Sequence, residues 1–350
     1  MAYTTINKGS LYMNTVLNTG DNTSPKSITG VGFQPDWVWT KTRGNTNNHT
    51  LFDSVRGAGV AKELSSDTTA GEGGVDTTNY GYLSSFDSDG FTATTGAIGI
   101  NYYNATGSNY VNWNWKAGGT ASSNTDGTIT SSVSANTTAG FSIATYTGNG
   151  AGSATVGHGL GVAPAFVIIK CLSVDAWQVF PTGATRLVLN SAVGDYGNNP
   201  ITKGATTITL PSSVDNGWNA NGVNYVMYTF AEKKGFSKFG SYTGNGNATD
   251  GPFIYTGFKP AFVLIKASNA TEAWTITDDA RDAYNPATKI LFPNSTNGEG
   301  SNTGTDYLSN GFKIRTGDGA MNLNSSTTYI YMAFAENPFV GSDGTPVTAR

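Results

Sequence analysis

The stretch "GFKPAFVLIK" at residues 257–266 decides the reading of the fold, because it returns as "GFQPDWVWTK" at 32–41 and "GVAPAFVIIK" at 161–170. Each copy is a short apolar run behind a proline, and each ends on a lysine six residues after it: Lys41, Lys170 and Lys266. Phe262 and Leu264 point to one side of such a run and Val263 and Ile265 to the other, so the pattern predicts a strand buried on both faces at the centre of a sheet. The lysine stem is expected to reach the edge of the core and hold its charge outside.

Anchoring on Pro35, Pro164 and Pro260 tests whether the echo extends beyond its seed. Upstream, "YTGNG" stands at 146–150 and 242–246, with a looser "LNTGD" before the first proline. Downstream, a turn dipeptide precedes an aromatic residue each time: Asp89-Gly90-Phe91, Asn216-Gly217-Trp218 and Asn310-Gly311-Phe312. Such dipeptides suit the positive φ of tight hairpins and predict strand reversals. A tyrosine-led strand follows, "YVNWNWKA" from Tyr110, "YVMYTFAE" from Tyr225 and "YIYMAFAE" from Tyr329. Alternation puts Val111, Trp113 and Trp115 on one face, then Val226, Tyr228 and Phe230, then Ile330, Met332 and Phe334, an apolar row facing a core.

Helix formers gather only at 57–68, between glycines, and predict one or two turns at most. The expectation is an all-β chain of three tandem related β-sandwich units of jelly-roll type, at 1–117, 140–235 and 236–337. A Ser/Thr/Gly-rich linker is expected at 118–139 and a C-terminal tail at 338–350. Only Lys233 to Gly235 separates the second and third units, which should pack closely, with the first more loosely tied.

Composition narrows the function. Charged residues make up 13% of the 350, against about 25% in an average soluble protein. With Lys+Arg 20 and Asp+Glu 24 there is no basic excess for phosphate contacts, so nucleic acid is not an expected partner. The single Cys171 excludes an internal disulfide framework and reads as a small buried thiol. The start "MAYTTINKGSLY" lacks a basic region followed by an apolar one, and no apolar run is long enough to span a bilayer, so neither a signal peptide nor membrane insertion is expected. His49 and His158 stand far apart without neighbouring Cys or His, which points to no metal site, and no motif calls for a cofactor.

Candidate chemistry is sparse. Asp53 with Arg56, and Asp278 with Arg281, lie eighteen and twenty-one residues after their prolines and read as turn-stabilising ion pairs; Thr182 and Thr185 hold those positions in the second unit. Asp278, Asp279 and Asp282 supply carboxylates of the kind a glycosidase uses, but nothing places a second carboxylate opposite them, so an enzyme is not expected. "DSDG" at 87–90 lacks the later ligands of a calcium loop, and "TGNGAG" and "GHGLG" lack the helix a phosphate loop needs. Trp and Tyr can stack on sugar rings, which makes Tyr102 and Tyr103, unmatched in the other units, the preferred glycan contacts, with Trp177 and Trp274 behind them as repeat-equivalent residues better suited to a core.

Several strings taken together, among them "QPDWVWTK", "LFDSVRG", "SSFDSDGF", "YVNWNWKAGG", "FSKFGSYTGNG", "YIYMAFAENPF" and "GTPVTAR", resemble a family of bacteriophage virion proteins, common in marine phages and usually labelled tail fibre or structural protein. The resemblance implies a place in the virion, in a tail or surface appendage, with other virion proteins as partners and a host-surface glycan or receptor as target. It also implies a symmetric homo-oligomer, most often a trimer. A capsid or neck decoration with a purely architectural role is the alternative, and a glycan depolymerase the third.

Overall fold

The computed structural model describes residues 4–75 and 77–337; the expected tail at 338–350 lies outside them. The chain is all-β; among the described residues helix is limited to a 3-10 turn at Gly9–Leu11 and two single α-helical turns, Thr77–Tyr80 and Gly319–Asn322. The first segment holds β1 (Met13–Thr19), β2 (Lys26–Thr29), β3 (Trp37–Thr42), β4 (Thr50–Asp53), β5 (Tyr82–Asp87), β6 (Gly90–Thr94) and β7 (Asn109–Trp115). Next come β8 (Ser122–Asn124), β9 (Ser131–Asn136), β10 (Phe141–Thr147), β11 (Thr155–Gly157), β12 (Phe166–Cys171), β13 (Trp177–Phe180), β14 (Leu187–Val188), β15 (Thr202–Lys203), β16 (Thr207–Thr209) and β17 (Asn224–Phe230). The third holds β18 (Ser237–Thr243), β19 (Phe253–Tyr255), β20 (Lys259–Ala267), β21 (Thr275–Asp278), β22 (Ala287–Ile290), β23 (Gly300–Leu308), β24 (Gly311–Ile314) and β25 (Thr328–Asn337).

Each proline-led strand sits inside a sheet, between the tyrosine-led strand and the strand that follows it. The orders are β1-β7-β3-β4, then β10-β17-β12-β13 with β14 beyond it, then β18-β25-β20-β21, all antiparallel. A smaller sheet goes with each: β2-β6-β5, β11-β16-β15 and β19-β24-β23-β22. The Asp89-Gly90 and Asn310-Gly311 dipeptides turn β5 into β6 and β23 into β24 as expected. Asn216-Gly217 forms a turn without a hairpin, because no strand begins until Asn224.

A local device explains the paired TG and Tyr motifs. Before each tyrosine-led strand a buried asparagine (Asn104, Asn219, Asn322) accepts, on its side-chain oxygen, the backbone N–H of Asp21, Asn149 or Asn245. The tyrosine hydroxyls of Tyr110, Tyr225 and Tyr329 accept the N–H of Ala105, Ala220 and Leu323 at 2.8, 2.8 and 2.6 Å. Buried backbone donors in these loops are thereby satisfied. The loops approach so closely that a Cβ on Gly20 or Gly148 would lie 1.9 or 2.3 Å from the carbonyl oxygen of Ala105 or Ala220, which is why glycine stands there.

The segment 118–139 is not a linker. β8 and β9 pair with each other and with β10, extending the second sheet to seven strands. Buried Ile129 and Val133, spaced four apart among serines and threonines, anchor it, and the Ser131 hydroxyl donates to Gly157 O at 2.9 Å. So few apolar residues hide the strand pattern in the sequence.

The predicted apolar rows do face a core, but the core is shared. Trp37, Trp113 and Trp115 of the first segment pack in one cluster with Phe141, Tyr228 and Phe230 of the second and Phe262, Met332 and Phe334 of the third. Trp115 and Phe230 each lie 6.0 Å from Phe334, ring centre to ring centre, and Trp37 stacks on Tyr228 at 4.6 Å. Contacts between aromatic rings at such distances add to the area they bury. The first segment therefore shares its interior with the other two. The opposite faces of the large sheets meet the smaller ones, Val38 and Phe52 against Ile28, Leu83 and Phe91, and Val167 and Ile169 against Val156 and Ile208.

Candidate functional site

The repeated lysine marks a junction between segments rather than the rim of a core. Lys41, Lys170 and Lys266 are each fully buried. Lys41 Nζ donates to Thr42 O and Asn45 O in its own segment and to Thr296 O in the third. Lys170 donates to Asp175 O and, across to the first segment, to Thr69 O; Lys266 donates to Ala267 O and, across to the second, to Ala192 O. First joins third, second joins first, third joins second: the junctions close on themselves. Eight residues after each proline a carbonyl repeats the circuit, Arg43 O accepting from Glu299 N, Leu172 O from Glu72 N and Ser268 O from Asp195 N. The snorkelling expectation fails because the neighbouring segment covers the end of the strand and offers carbonyls in place of water.

Burial pulls all three ammonium groups down to about 8, below the ordinary value of 10.5. The folded chain then binds fewer protons than the unfolded one between these values, so stability rises with pH across that window. Each lysine contributes about 1 kcal/mol per pH unit there. Lys203, also held near 8 by burial, adds a fourth group, and the buried Cys171 thiol, raised by burial, opposes with one. Urea midpoints are expected to increase between pH 8 and 9.5; a fall would contradict the burial of these charges. At the acid side, His49 accepts the indole N–H of Trp39 on Nδ1 at 2.9 Å and donates from Nε2 to Phe292 O at 3.0 Å, a neutral tautomer that burial holds down to about 4. Stability is expected to fall as pH drops from 6.5 towards 4.

His49 is the first segment's counterpart of Trp177 and Trp274: Trp177 pairs with Lys170, and His49 and Trp274 each come one residue before the strand that pairs with the lysine-bearing one, next to Thr50 and Thr275. Trp177 donates its indole N–H to Ser65 O in the first segment and Trp274 to Val188 O in the second, at 2.7 and 2.9 Å. Both are completely buried, so neither is a glycan contact. Tyr102 and Tyr103 are buried as well, Tyr103 edge-on against Phe91 beneath the small sheet of the first segment. An asparagine-rich loop suggested exposure; the small sheet covers it.

The ion pairs form as expected and do more than brace a turn. Asp53 accepts the backbone N–H and Nε of Arg56 at 2.9 and 2.6 Å, and the Tyr228 hydroxyl from the second segment at 2.7 Å. Asp278 accepts the same two groups from Arg281, at 2.9 and 2.6 Å, and the Trp113 indole N–H from the first segment at 3.0 Å. Burial, then the charge of Asp53, holds the Tyr228 hydroxyl well above its ordinary pKa, so it remains a donor. Arg56 goes on to Glu72 at 2.9 Å and Arg281 to Glu299 at 3.1 Å. In the third such place, Gly183 between Thr182 and Thr185 lies against Ser241 and Ile330, and the residue matching Trp113 and Tyr228 is Met332. Acid, base and cross-segment donor are replaced together.

Asp278 is wholly buried and fully engaged, so no substrate reaches it. Asp279 is only partly buried; burial, then the nearby charges of Glu336 and Asp278, pushes its carboxyl up to about 7. Among the described residues no group of three His, Cys, Asp or Glu is placed to hold a metal ion. Among the same residues no helix is long and apolar enough to cross a membrane.

A cleft of 520 Å³ lies at the first–second junction. Arg56, Lys62 and Glu72 form one wall, Ser123, Ser132 and Thr145 the other, with Val55 and Leu172 also lining it. A related cleft of 320 Å³ sits at the first–third junction, lined by Arg43, Asn45, Ser108, Asn109 and Glu299. The sequence could not show either, since each is built from segments far apart in the chain. The chain matches no curated protein and no solved structure. A family model described as a domain of unknown function, DUF7483, matches residues 8–338, and the chain belongs to that family.

Proposed function

We propose that the protein is a structural component of a phage virion, a rigid module of a tail or surface appendage with an architectural role. The observation that carries this reading is the closed circuit of junctions: three sheets share one aromatic core, and buried lysines, arginines and carboxylates are spent on joining them. Such a molecule resists local opening, which suits a part that must persist outside the cell. The strings quoted above, similar to those of phage virion proteins, support the same placement. The threefold packing that a fibre obtains from three copies is supplied here within one chain, and light scattering is expected to give a particle of one chain, 36.5 kDa.

The test is mass spectrometry and immunogold labelling of purified particles of the phage that encodes the protein. Stoichiometric incorporation, with label at the tail, neck or head, supports the reading; absence from the purified particle overturns it. Competition with phage adsorption by the isolated protein then separates a purely architectural part from one that contacts the host.

A further inference from the structure

We propose that the 520 Å³ cleft at the first–second junction is a binding site for a neutral saccharide. Its size falls within the range of small-ligand sites. The pairing register puts Thr145 opposite Ser132 and Ser132 opposite Ser123, so three hydroxyl side chains from β10, β9 and β8 stand in one row across the sheet. Those strands extend the sheet past β10, and at the cleft the row of hydroxyls takes over from the aromatic residues of the inner face. Hydroxyls both donate and accept, as the ring hydroxyls of a sugar do.

The facing wall is polar and electrically balanced. Arg56 and Lys62 carry two positive charges, Asp53 and Glu72 two negative ones, so the site favours neither an anion nor a cation. Lys62 only reaches Glu72 at 3.4 Å, leaving both groups free to exchange that long contact for shorter bonds to a vicinal diol, which accepts from one and donates to the other. Arg56, with 2% of its side chain exposed, has one terminal nitrogen, Nη2, that makes no hydrogen bond. The matching nitrogen of Arg281 donates to Ile276 O at 3.0 Å. An unpaired buried donor of this kind is costly unless a further acceptor arrives.

The smaller cleft supplies an internal comparison. There Glu299 is held by Nε and Nη2 of Arg43, at 3.1 and 2.9 Å, and by Arg281 as well, so the acid is saturated. The residue in Arg43's place at the larger cleft is Leu172, eight positions after its proline, which leaves Glu72 less engaged and, with Val55, provides an apolar surface for the C–H face of a sugar ring. Acid, base, hydroxyl row and apolar floor meet at this junction.

The test applies the full-length chain to a printed array of bacterial surface oligosaccharides with neutral and acidic repeating units. Binding to neutral members is expected, weakened at least about tenfold by Thr145→Arg, which fills the cleft, and by Ser123→Arg at its exposed edge. Asn45→Arg, in the smaller cleft, is expected to leave binding unchanged. Circular dichroism establishes that each variant is folded; should Thr145→Arg not fold, Ser123→Arg carries the comparison. Absence of binding across the array, binding restricted to acidic members, or binding indifferent to both cleft substitutions overturns the assignment. None of these outcomes bears on incorporation into virions, which is measured separately.

Discussion

Replacing Asp278 by Ala is expected to lower the unfolding free energy by about 4 kcal/mol, among the largest effects of any single substitution here. Asp278 lies at the centre of a buried cluster, accepting from Arg281 and from the Trp113 indole of another segment. Its loss strands a guanidinium that is 0% exposed, and a buried charge without its partner costs far more than the intact pair contributes. Glu299, the arginine's second partner, is 12% exposed and already shared with Arg43, so it cannot compensate fully. The second–third junction shows how the site can be uncharged: threonines replace acid and base, and Met332 stands where a donor would be. Transplanting that arrangement, as Trp113→Met, Asp278→Thr and Arg281→Thr together, is therefore expected to cost less than Asp278→Ala alone. Urea denaturation of the single and triple variants decides it, and strictly additive losses would sink the argument.

Phe230→Ala is expected to cost about 3 to 5 kcal/mol, and to do so for the entire chain at once. The ring touches Phe141 and Phe166 in its own segment, Trp37 in the first, and Phe239 and Phe334 in the third. Three sandwiches with separate interiors would melt in separate steps, and this change would move only the middle one. With the rings of all three meeting in one cluster, far-ultraviolet and near-ultraviolet circular dichroism are expected to shift together in a single transition. Separate transitions, with only one displaced, would refute the shared core.

The sequence announced the strands but not what the strands surround. Both-sided burial of Val167 and Ile168 and the alternation of Val226, Tyr228 and Phe230 follow from side-chain period, a property of a few consecutive residues, and these were legible. That the apolar row of one sheet meets the rows of two others depends on contacts more than a hundred residues apart, to which period is blind. Polar signals misled for a related reason. A serine-rich stretch read as a linker because β9 needs only Val133 and Ile129 to anchor it, and a lysine at a strand end read as solvated because the carbonyls that receive it belong to another segment. Residue type does not link His49 to Trp177 and Trp274; their places beside the strand that pairs with the lysine-bearing one make them equivalent. Spacing alone marks the ion pairs; their bonds to Tyr228 and Trp113 join distant parts of the chain and leave no local pattern.

The closed circuit has a genetic corollary. In an assembly of three identical polypeptides every mutation is written in triplicate, and an interface that loses an ion pair in one place loses it in all. Joined on one chain, the interfaces are free to differ: one carries threonines and methionine where the others carry charges, another faces a row of hydroxyls across its cleft, and the third holds its acid with two arginines. A single gene can thus vary one face of the molecule while the other two hold it together.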